Sequence, residues 1–219
     1  MRTNYLTLVN IEHPIYHPVN RGDLVSVSRD HPDILMERTA AEALKRLLSD
    51  IGAEGAIVPV SGWRPRKEQE QIWADTVAEK GVAFARKYVA LPGCSEHETG
   101  LAIDLAENAP YIDFICPKFP RKGICQVFRE MAPYYGFIER YQKSKEAVTG
   151  ISEEPWHFRY VGTPHSEVIA RDDLALEEYV ERLSRKKALR RYCQTYGTAG
   201  SCRAIQMPGR LQAAGKGGV

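Results

Sequence analysis

The segment SEHETGLAID, residues 95–104, determines the fold around a candidate site because its composition changes from polar to apolar at Gly100. The residues before this glycine are mostly polar, and those after it begin a short apolar run that ends at Leu105. Glycine has no Cβ atom, so the chain can turn sharply there. We therefore expect a polar loop that carries His97, then a bend, then a short strand that carries Asp104.

Side chains alternate between the two faces of a strand, and this separates the residues of the apolar run. Leu101, Ile103 and Leu105 fall on one face, and Ala102 and Asp104 fall on the other. The small side chain of Ala102 leaves room for an ion beside the carboxylate. The histidine and the aspartate are too far apart to be ligands on one turn of a helix, where ligands recur three or four residues apart.

A second segment, EPWH at residues 154–157, opens an aromatic and β-branched run that continues to Val161. This composition predicts a strand from Trp156 onward. We expect Glu154 to lie on a loop before that strand and His157 to lie within it.

Together the two segments have the composition of a catalytic zinc site. Two imidazoles and one carboxylate can hold zinc while its fourth coordination position stays open for water. The candidate ligands are His97, Asp104 and His157. Glu154 is then the spare carboxylate, and as a general base it could take a proton from the bound water, whose pKa zinc lowers to about 7. The implied reaction is hydrolysis of an amide.

A third element, SGWRPRKEQ at residues 61–69, follows the apolar run of residues 56–60. Arg64 lies just beyond the end of the strand predicted there, where a fixed guanidinium could stabilise the oxyanion of a tetrahedral intermediate. Ser95 and Gln69 are candidate hydrogen-bonding groups for a substrate. The structural alternatives are a surface salt bridge for Arg64 and hydrogen bonds within loops for the other two residues.

These stretches resemble the zinc D-Ala-D-Ala peptidases, a family that includes the VanX-type dipeptidases and the VanY-type carboxypeptidases. The resemblance is strongest to the bifunctional VanXY type and extends from about residue 8 to about residue 183. It implies one zinc ion per chain, held by His97, Asp104 and His157, with Glu154 as the catalytic base.

The resemblance also implies roles for the residues around the zinc site. Arg64 would stabilise the transition state, and Ser95 and Gln69 would hold the termini of the substrate. Trp63 stands where such enzymes commonly carry tyrosine. The implied substrates are free D-Ala-D-Ala and peptidoglycan precursor peptides that end in it, and their removal would contribute to vancomycin resistance.

Two other functions fit the same pattern. The first is a peptidoglycan endopeptidase or an L,D-type peptidase on the same scaffold. The second is an inactive, zinc-stabilised module that binds cell-wall peptides, since one scaffold can support unrelated functions. Such a module would need the three ligands but neither Glu154 nor Arg64, so the presence of both favours an enzyme.

Length and composition favour a single α+β domain. The chain has 219 residues, of which 43% are hydrophobic, enough to bury one substantial core. We expect residues 1–187 to form the peptidase domain, with a small, mainly antiparallel sheet that carries the zinc site and helices packed around it. Residues 188–219 are basic and then glycine-rich, and we expect a flexible tail there.

Periodicity and capping signals also predict individual helices. Thr39 is the expected N-cap of the first helix, and Ile72, Trp73 and Val77 form the expected inward face of the second. The polar stretch 139–152 is either a mobile lid over the site or a solvated connector. The predicted helices cover residues 40–48, 67–79, a segment ending near 88, 125–135, 166–169 and 176–187.

Charge and cysteine usage narrow the classes of partner. The net charge of +2 gives no electrostatic case for a nucleic acid partner, although the basic cluster at residues 185–191 is either a solvated charge run or a contact for an anionic partner. The sequence shows neither a signal peptide nor a membrane anchor, and its five cysteines form no Cys-x-x-Cys pair. We therefore expect free thiols and a cytoplasmic enzyme, of an oligomeric state that the sequence does not indicate.

Overall fold

The computed structural model describes residues 4–17, 19 and 21–196, and the predicted α+β architecture is confirmed. The strands are β1 (Leu24–Ser26), β2 (Leu35–Glu37), β3 (Ile57–Ser61), β4 (Ala102–Glu107), β5 (Phe137–Tyr141) and β6 (Glu154–Tyr160). The α-helices are α1 (Arg38–Asp50), α2 (Arg66–Lys80), α3 (Val82–Tyr88), α4 (Gly123–Met131), α5 (Glu146–Thr149), α6 (His165–Arg171) and α7 (Leu176–Tyr196). Short 3-10 turns cover Arg21–Asp23, Glu96–Thr99, Ala132–Tyr135 and Lys143–Lys145.

The main sheet has four antiparallel strands in the order β3-β4-β6-β5. β4 and β6 are the two inner strands, and Asp104 on β4 lies directly opposite His157 on β6. Ser61 at the end of β3 is the partner of Asp104 on the other side. The residues of the candidate site therefore come together through strand register. A separate antiparallel pair, β1 and β2, lies outside this sheet.

One face of the sheet packs against helices to form the hydrophobic core. Ile103 and Leu105 of β4 are fully buried there, in contact with the cluster that includes Leu44 and Leu47 of α1. Phe158 of β6 belongs to the same cluster, where it meets aromatic rings from α4 and the preceding loop. Each fully buried side chain of this size contributes about 1.5–3 kcal/mol relative to leaving it in water. The core thus fixes β4 and β6 by their apolar face, and Asp104 points to the other face, as the alternation predicts.

Two local predictions about the helices were wrong. The N-cap of α1 is Glu37, whose carboxylate accepts hydrogen bonds from the backbone N–H groups of Thr39 and Ala40 at 2.8 and 3.1 Å. On α2 the buried side chains are Gln69 and Thr76 rather than the predicted apolar residues, which are only partly buried. Both buried residues line the cavity described below, so α2 faces a polar site there.

The last described helix continues beyond the predicted domain boundary at residue 187. One compact unit ends at Glu181, within α7, and a second begins at Arg182. The helix continues to Tyr196, so the first residues of the expected flexible tail are helical. Residues 197–219 of that tail lie outside the described residues, and the domain boundary at 187 stays a prediction. None of the described helices is both long enough and apolar enough to span a membrane.

Candidate metal centre

A tight turn positions His97. The 3-10 turn Glu96–Thr99 ends at Gly100, which has a φ of +70°. A Cβ atom on this glycine would lie 2.7 Å from Cδ2 of Leu24 and 3.2 Å from the backbone nitrogen of Glu37. Both the backbone conformation and the available space therefore require glycine, which confirms the predicted bend.

The ring of His97 is oriented by a backbone carbonyl. Its Nδ1 atom lies 2.7 Å from the carbonyl oxygen of Gly62, which can only accept a hydrogen bond, so Nδ1 carries a proton. Nε2 then faces the carboxylate of Asp104, whose Oδ2 atom lies 3.1 Å away. The ring is thus held with Nε2 directed at the other site residues.

His157 and Asp104 meet across the β4–β6 ladder. Nδ1 of His157 lies 2.9 Å from Oδ1 of Asp104. His97 joins them, and one ligand atom from each of the three side chains lies within 4.8 Å of the others. All three side chains are buried. The structure therefore brings the three predicted ligands together, and it does so on the sheet face opposite the core.

The three side chains fit a zinc ion by their chemistry. Two imidazole nitrogens and one carboxylate oxygen are a donor set that zinc accepts in catalytic sites. Histidines that bind a metal nearly always donate the second ring N–H to an acceptor, and both histidines here have one. For His97 the acceptor is the carbonyl of Gly62, and for His157 it is Oε2 of Glu96, 3.4 Å from Nε2.

Burial and close contacts shift the pKa values of all three groups. Burial alone would lower the pKa of His157, but hydrogen bonds to Asp104 and Glu96 raise it to about 10. Burial alone would raise the pKa of Asp104, but His97 and His157 hold it well below its usual range. Burial lowers the pKa of His97, and the charge of Asp104 opposes this only in part. A divalent cation in this cluster must displace the proton that His157 shares with Asp104.

Glu154 is the first residue of β6, so its predicted place on a loop was wrong. The register between β5 and β6 shifts between Glu139 and Tyr141, and Tyr141 pairs with Glu154. Pro155 therefore lies at an irregular part of the ladder, where a missing N–H group is tolerated. Oε2 of Glu154 lies 3.8 Å from Nδ1 of His157, beside the ligand atoms. Burial raises the pKa of Glu154 to about 8, against the opposing charge of His157.

Arg64 lies just beyond the end of β3, as predicted, and two side chains hold its guanidinium. Nη1 donates to Oε1 of Gln69 at 2.8 Å, and Nη2 donates to Oγ of Ser61 at 2.8 Å. The other end of the Gln69 amide donates to the carbonyl oxygen of Ala90 at 2.8 Å. Gln69 is buried, with both ends of its amide engaged within the protein. The predicted contact of Gln69 with substrate therefore competes with a structural role.

These residues share one cavity of about 480 Å³. This volume lies within the usual range of small-molecule sites. Ser95 is buried and borders the cavity, together with Arg64, Gln69 and Glu154. The cavity also contains the three candidate ligands, so every residue predicted for the site lines the same space.

Sequence reasoning missed Glu96, which lies behind His157. Its side chain is fully buried and forms ion pairs with Arg140 at 2.8 Å and Arg159 at 2.9 Å. Burial alone would raise the pKa of Glu96, but the charges of Arg159 and Arg140 hold it well below its usual range. Glu96 adjoins His97 in the sequence, but its partners come from distant strands, so no local pattern connects them.

The family profile described as VanY, D-alanyl-D-alanine carboxypeptidase, matches residues 33–163, which include β4, β6 and the whole cluster. The chain belongs to this family. The resemblance inferred from the sequence motifs is therefore confirmed, and the chain is a VanY-family peptidase.

A curated relative covers most of the VanY-family chain. The bifunctional D-Ala-D-Ala dipeptidase and D-Ala-D-Ala carboxypeptidase VanXYC of Enterococcus gallinarum is 41% identical over 182 residues, or 83% of this chain and 96% of the relative. The match therefore covers nearly the full length of that enzyme.

Three solved structures share the fold. The vancomycin resistance D,D-dipeptidase VanXYg, in complex with a D-Ala-D-Ala phosphinate analog, has a TM-score of 0.79 and 49% identity, over 81% of this chain and 70% of that chain. The LD-carboxypeptidase LdcB has a TM-score of 0.70 and 35% identity, over 81% and 86% of the two chains. A mutant of the D,D-pentapeptidase VanY from a VanB-type cassette, in complex with Zn(II), has a TM-score of 0.65 and 29% identity, over 81% and 99%.

Proposed function

We propose that this chain is a zinc-dependent peptidase that hydrolyses the amide bond of D-Ala-D-Ala. The substrates are the free dipeptide and peptidoglycan precursors that end in it. The observation that carries the proposal is the juxtaposition of His97, Asp104 and His157 with Glu154 and Arg64 in one cavity. Membership of the VanY family and the similarity to VanXYC support this choice of substrate.

Each residue has a distinct part in the proposed reaction. One zinc ion, when held by His97, Asp104 and His157, supplies a Lewis acid and an activated water. Glu154 lies beside these ligands, where its carboxylate could take up a proton from that water and return it to the leaving amine. In the overall reaction, water adds to the carbonyl carbon, the C–N bond breaks, and the amine leaves protonated.

Arg64 provides the positive charge for the transition state. It borders the cavity, and Gln69 and Ser61 fix its guanidinium. Negative charge that develops on the carbonyl oxygen is stabilised most by a cation that does not need to reorient. We assign Gln69 mainly to this orientation of Arg64, and Ser95 to hydrogen bonding with a terminus of the substrate.

We further propose that the enzyme acts in the cytoplasm on precursors and so contributes to glycopeptide resistance. Cys94, Cys116 and Cys125 are free thiols, as expected in a reducing compartment. Cell fractionation with an antibody against the chain tests this location. Recovery mainly outside the cytoplasmic fraction would contradict it.

A second candidate is L,D-carboxypeptidase activity, which the similarity to LdcB favours. The two activities differ in the configuration of the residue before the scissile bond. They share the metal, the base and the arginine, so these groups do not distinguish between them. The distinction rests on the walls of the cavity and requires a direct assay.

The test compares three substrates with zinc-loaded protein: free D-Ala-D-Ala, a pentapeptide that ends in D-Ala-D-Ala, and a tetrapeptide with a terminal L,D bond. We expect D-Ala release from the first two and little from the third. When Glu154→Gln is compared in the same assay, the matched control is Glu153→Gln. Glu153 is a partly exposed neighbour of Glu154 that pairs with Arg121, so this change should leave all rates unchanged. Cleavage of the tetrapeptide alone would replace the proposal by the L,D activity, and cleavage of none would leave a binding module.

A further inference from the structure

A buried carboxylate that the proposed reaction does not use lies behind the metal cluster. Oε2 of Glu96 is 3.4 Å from Nε2 of His157, whereas Asp104 contacts Nδ1 of the same ring at 2.9 Å. The two carboxylates therefore contact opposite nitrogens of one imidazole. The Glu96 side chain has no exposed surface.

Two arginines fix the position of Glu96. Oε1 lies 2.8 Å from Nε of Arg140 and 2.9 Å from Nη1 of Arg159. Both guanidinium groups are buried, with side-chain exposures of 1% and 0%. A buried carboxylate between two buried cations remains ionised, and it cannot turn away without breaking its ion pairs with both arginines. It is held in one orientation, with Oε2 directed at His157.

The arginines are anchored in turn by other parts of the fold. Arg140 donates through Nη1 and Nη2 to the two carboxylate oxygens of Glu177 in α7, at 2.9 and 2.6 Å. Nη2 of Arg159 donates to the backbone carbonyl of Thr7 at 2.7 Å. The network therefore contains two acids and two arginines, so its formal charges balance. This balance accounts for the burial of Glu96, Arg140 and Arg159, whereas Glu177 is partly exposed.

An ionised carboxylate can accept a hydrogen bond but cannot donate one. The ring nitrogen that faces Glu96 must therefore carry a proton. When the other proton, which His157 shares with Asp104, is displaced, the lone pair of the neutral ring is on Nδ1. That is the nitrogen that lies near Asp104 and Glu154.

We propose that Glu96 is a positioning residue for the metal ligand His157: it keeps the proton on Nε2 and presents the Nδ1 lone pair to the metal. This inference rests on the proposed zinc site. An acceptor behind a ligating histidine also increases the basicity of the ligating nitrogen, and removal of such an acceptor typically weakens metal affinity by about 10- to 100-fold.

The test measures zinc affinity of the full chain by competition with a chromophoric chelator. Glu96→Gln keeps the size of the side chain, but its neutral oxygen is a weaker acceptor and its NH₂ group would face an arginine. We expect zinc affinity to fall by about 10- to 100-fold. The matched control is Glu177→Gln, which weakens the same network on the far side of Arg140 without contact to His157. We expect that control to change zinc affinity less than threefold.

A second measurement needs no variant and so does not depend on whether Glu96→Gln folds. Nitrogen-15 NMR of labelled histidine in the zinc-loaded protein distinguishes the two ring tautomers. We expect His157 to carry its proton on Nε2 and to bind zinc through Nδ1.

Three results would overturn the inference: the opposite tautomer, unchanged affinity in Glu96→Gln, or equal losses in Glu96→Gln and Glu177→Gln. If the unaltered protein binds zinc and cleaves D-Ala-D-Ala, each of these results rejects only the role of Glu96. If the unaltered protein binds no zinc, the proposed function fails as well.

Discussion

Replacement of Gly100 by alanine tests how the turn at residues 96–99 holds the metal site. The backbone of Gly100 has a φ of +70°, a left-handed conformation that costs an alanine about 1–2 kcal/mol. The new Cβ would also lie 2.7 Å from Cδ2 of Leu24 and 3.2 Å from the backbone nitrogen of Glu37. The leucine methyl can move. The backbone nitrogen of Glu37 cannot move as easily, because it lies in β2 and its N–H group donates to the carbonyl oxygen of Gly100 at 2.8 Å.

We expect the second contribution to be similar to that of a crowded core substitution, about 1–3 kcal/mol. The total loss of unfolding free energy is then about 2–5 kcal/mol for Gly100→Ala. The matched control is Gly52→Ala after α1, where φ is +65° and no atom lies within 4 Å of the added Cβ. That variant bears only the conformational cost, so it should lose about 1–2 kcal/mol.

Urea unfolding of both zinc-free variants, followed by circular dichroism, measures the two losses. A chelator competition on the same samples should show weaker zinc binding for Gly100→Ala and unchanged binding for Gly52→Ala, because only the first glycine adjoins the turn that carries His97. Equal destabilisation of the two variants would refute the argument from close packing. Unchanged zinc affinity in Gly100→Ala would refute the claim that this turn positions the ligand.

Three further predictions concern the chemistry of the site. Glu154→Gln should still bind zinc but should lose about 10²- to 10⁴-fold in kcat for D-Ala-D-Ala, because its amide cannot accept the proton; a kcat within tenfold of the unaltered enzyme would exclude Glu154 as the base. Gln69→Ala removes one hydrogen bond from Arg64 and should lower kcat about tenfold with a smaller change in KM, whereas Gln71→Ala, at an exposed side chain of the same helix that donates to Asp75, should change neither; a loss confined to KM would instead indicate direct substrate binding. Removal of zinc by a chelator should lower unfolding stability by about 2.7 kcal/mol relative to protein in zinc at 100 times its Kd, as measured by urea unfolding, and identical curves would argue against a site in the native state.

The sequence predicts the metal cluster because its signals are local. His97, Gly100 and Asp104 lie within one short segment, and His157 lies within another. The apolar alternation of β4 establishes which face carries the aspartate. Antiparallel pairing of β4 with β6 then places His157 opposite Asp104, although the register itself is visible only in the structure.

The predictions that failed depend on contacts between distant residues or on irregular local geometry. Pro155 marks a loop in most sequences, but the register shift in β6 accommodates it within a strand. Thr39 is a common N-cap type, but the longer side chain of Glu37 reaches two N–H groups at the start of α1. The orientation of Arg64 by Gln69 also depends on how α2 packs, which helical periodicity does not specify.

The network of Glu96 could not be predicted for the same reason. Its arginines come from β5 and β6, and the acid that anchors Arg140 comes from α7. Each charge is unremarkable in the sequence, and only the fold brings them together in the interior. Buried ion pairs of this kind depend on the complete tertiary structure.

The central claim is that His97, Asp104 and His157 hold one zinc ion. The most direct measurement is an anomalous difference map, collected at the zinc absorption edge from crystals of the zinc-loaded protein. We predict one strong peak per chain, about 2.0–2.2 Å from Nε2 of His97, a carboxylate oxygen of Asp104 and Nδ1 of His157. A peak elsewhere, or no peak at this cluster in crystals that contain zinc, would contradict the account.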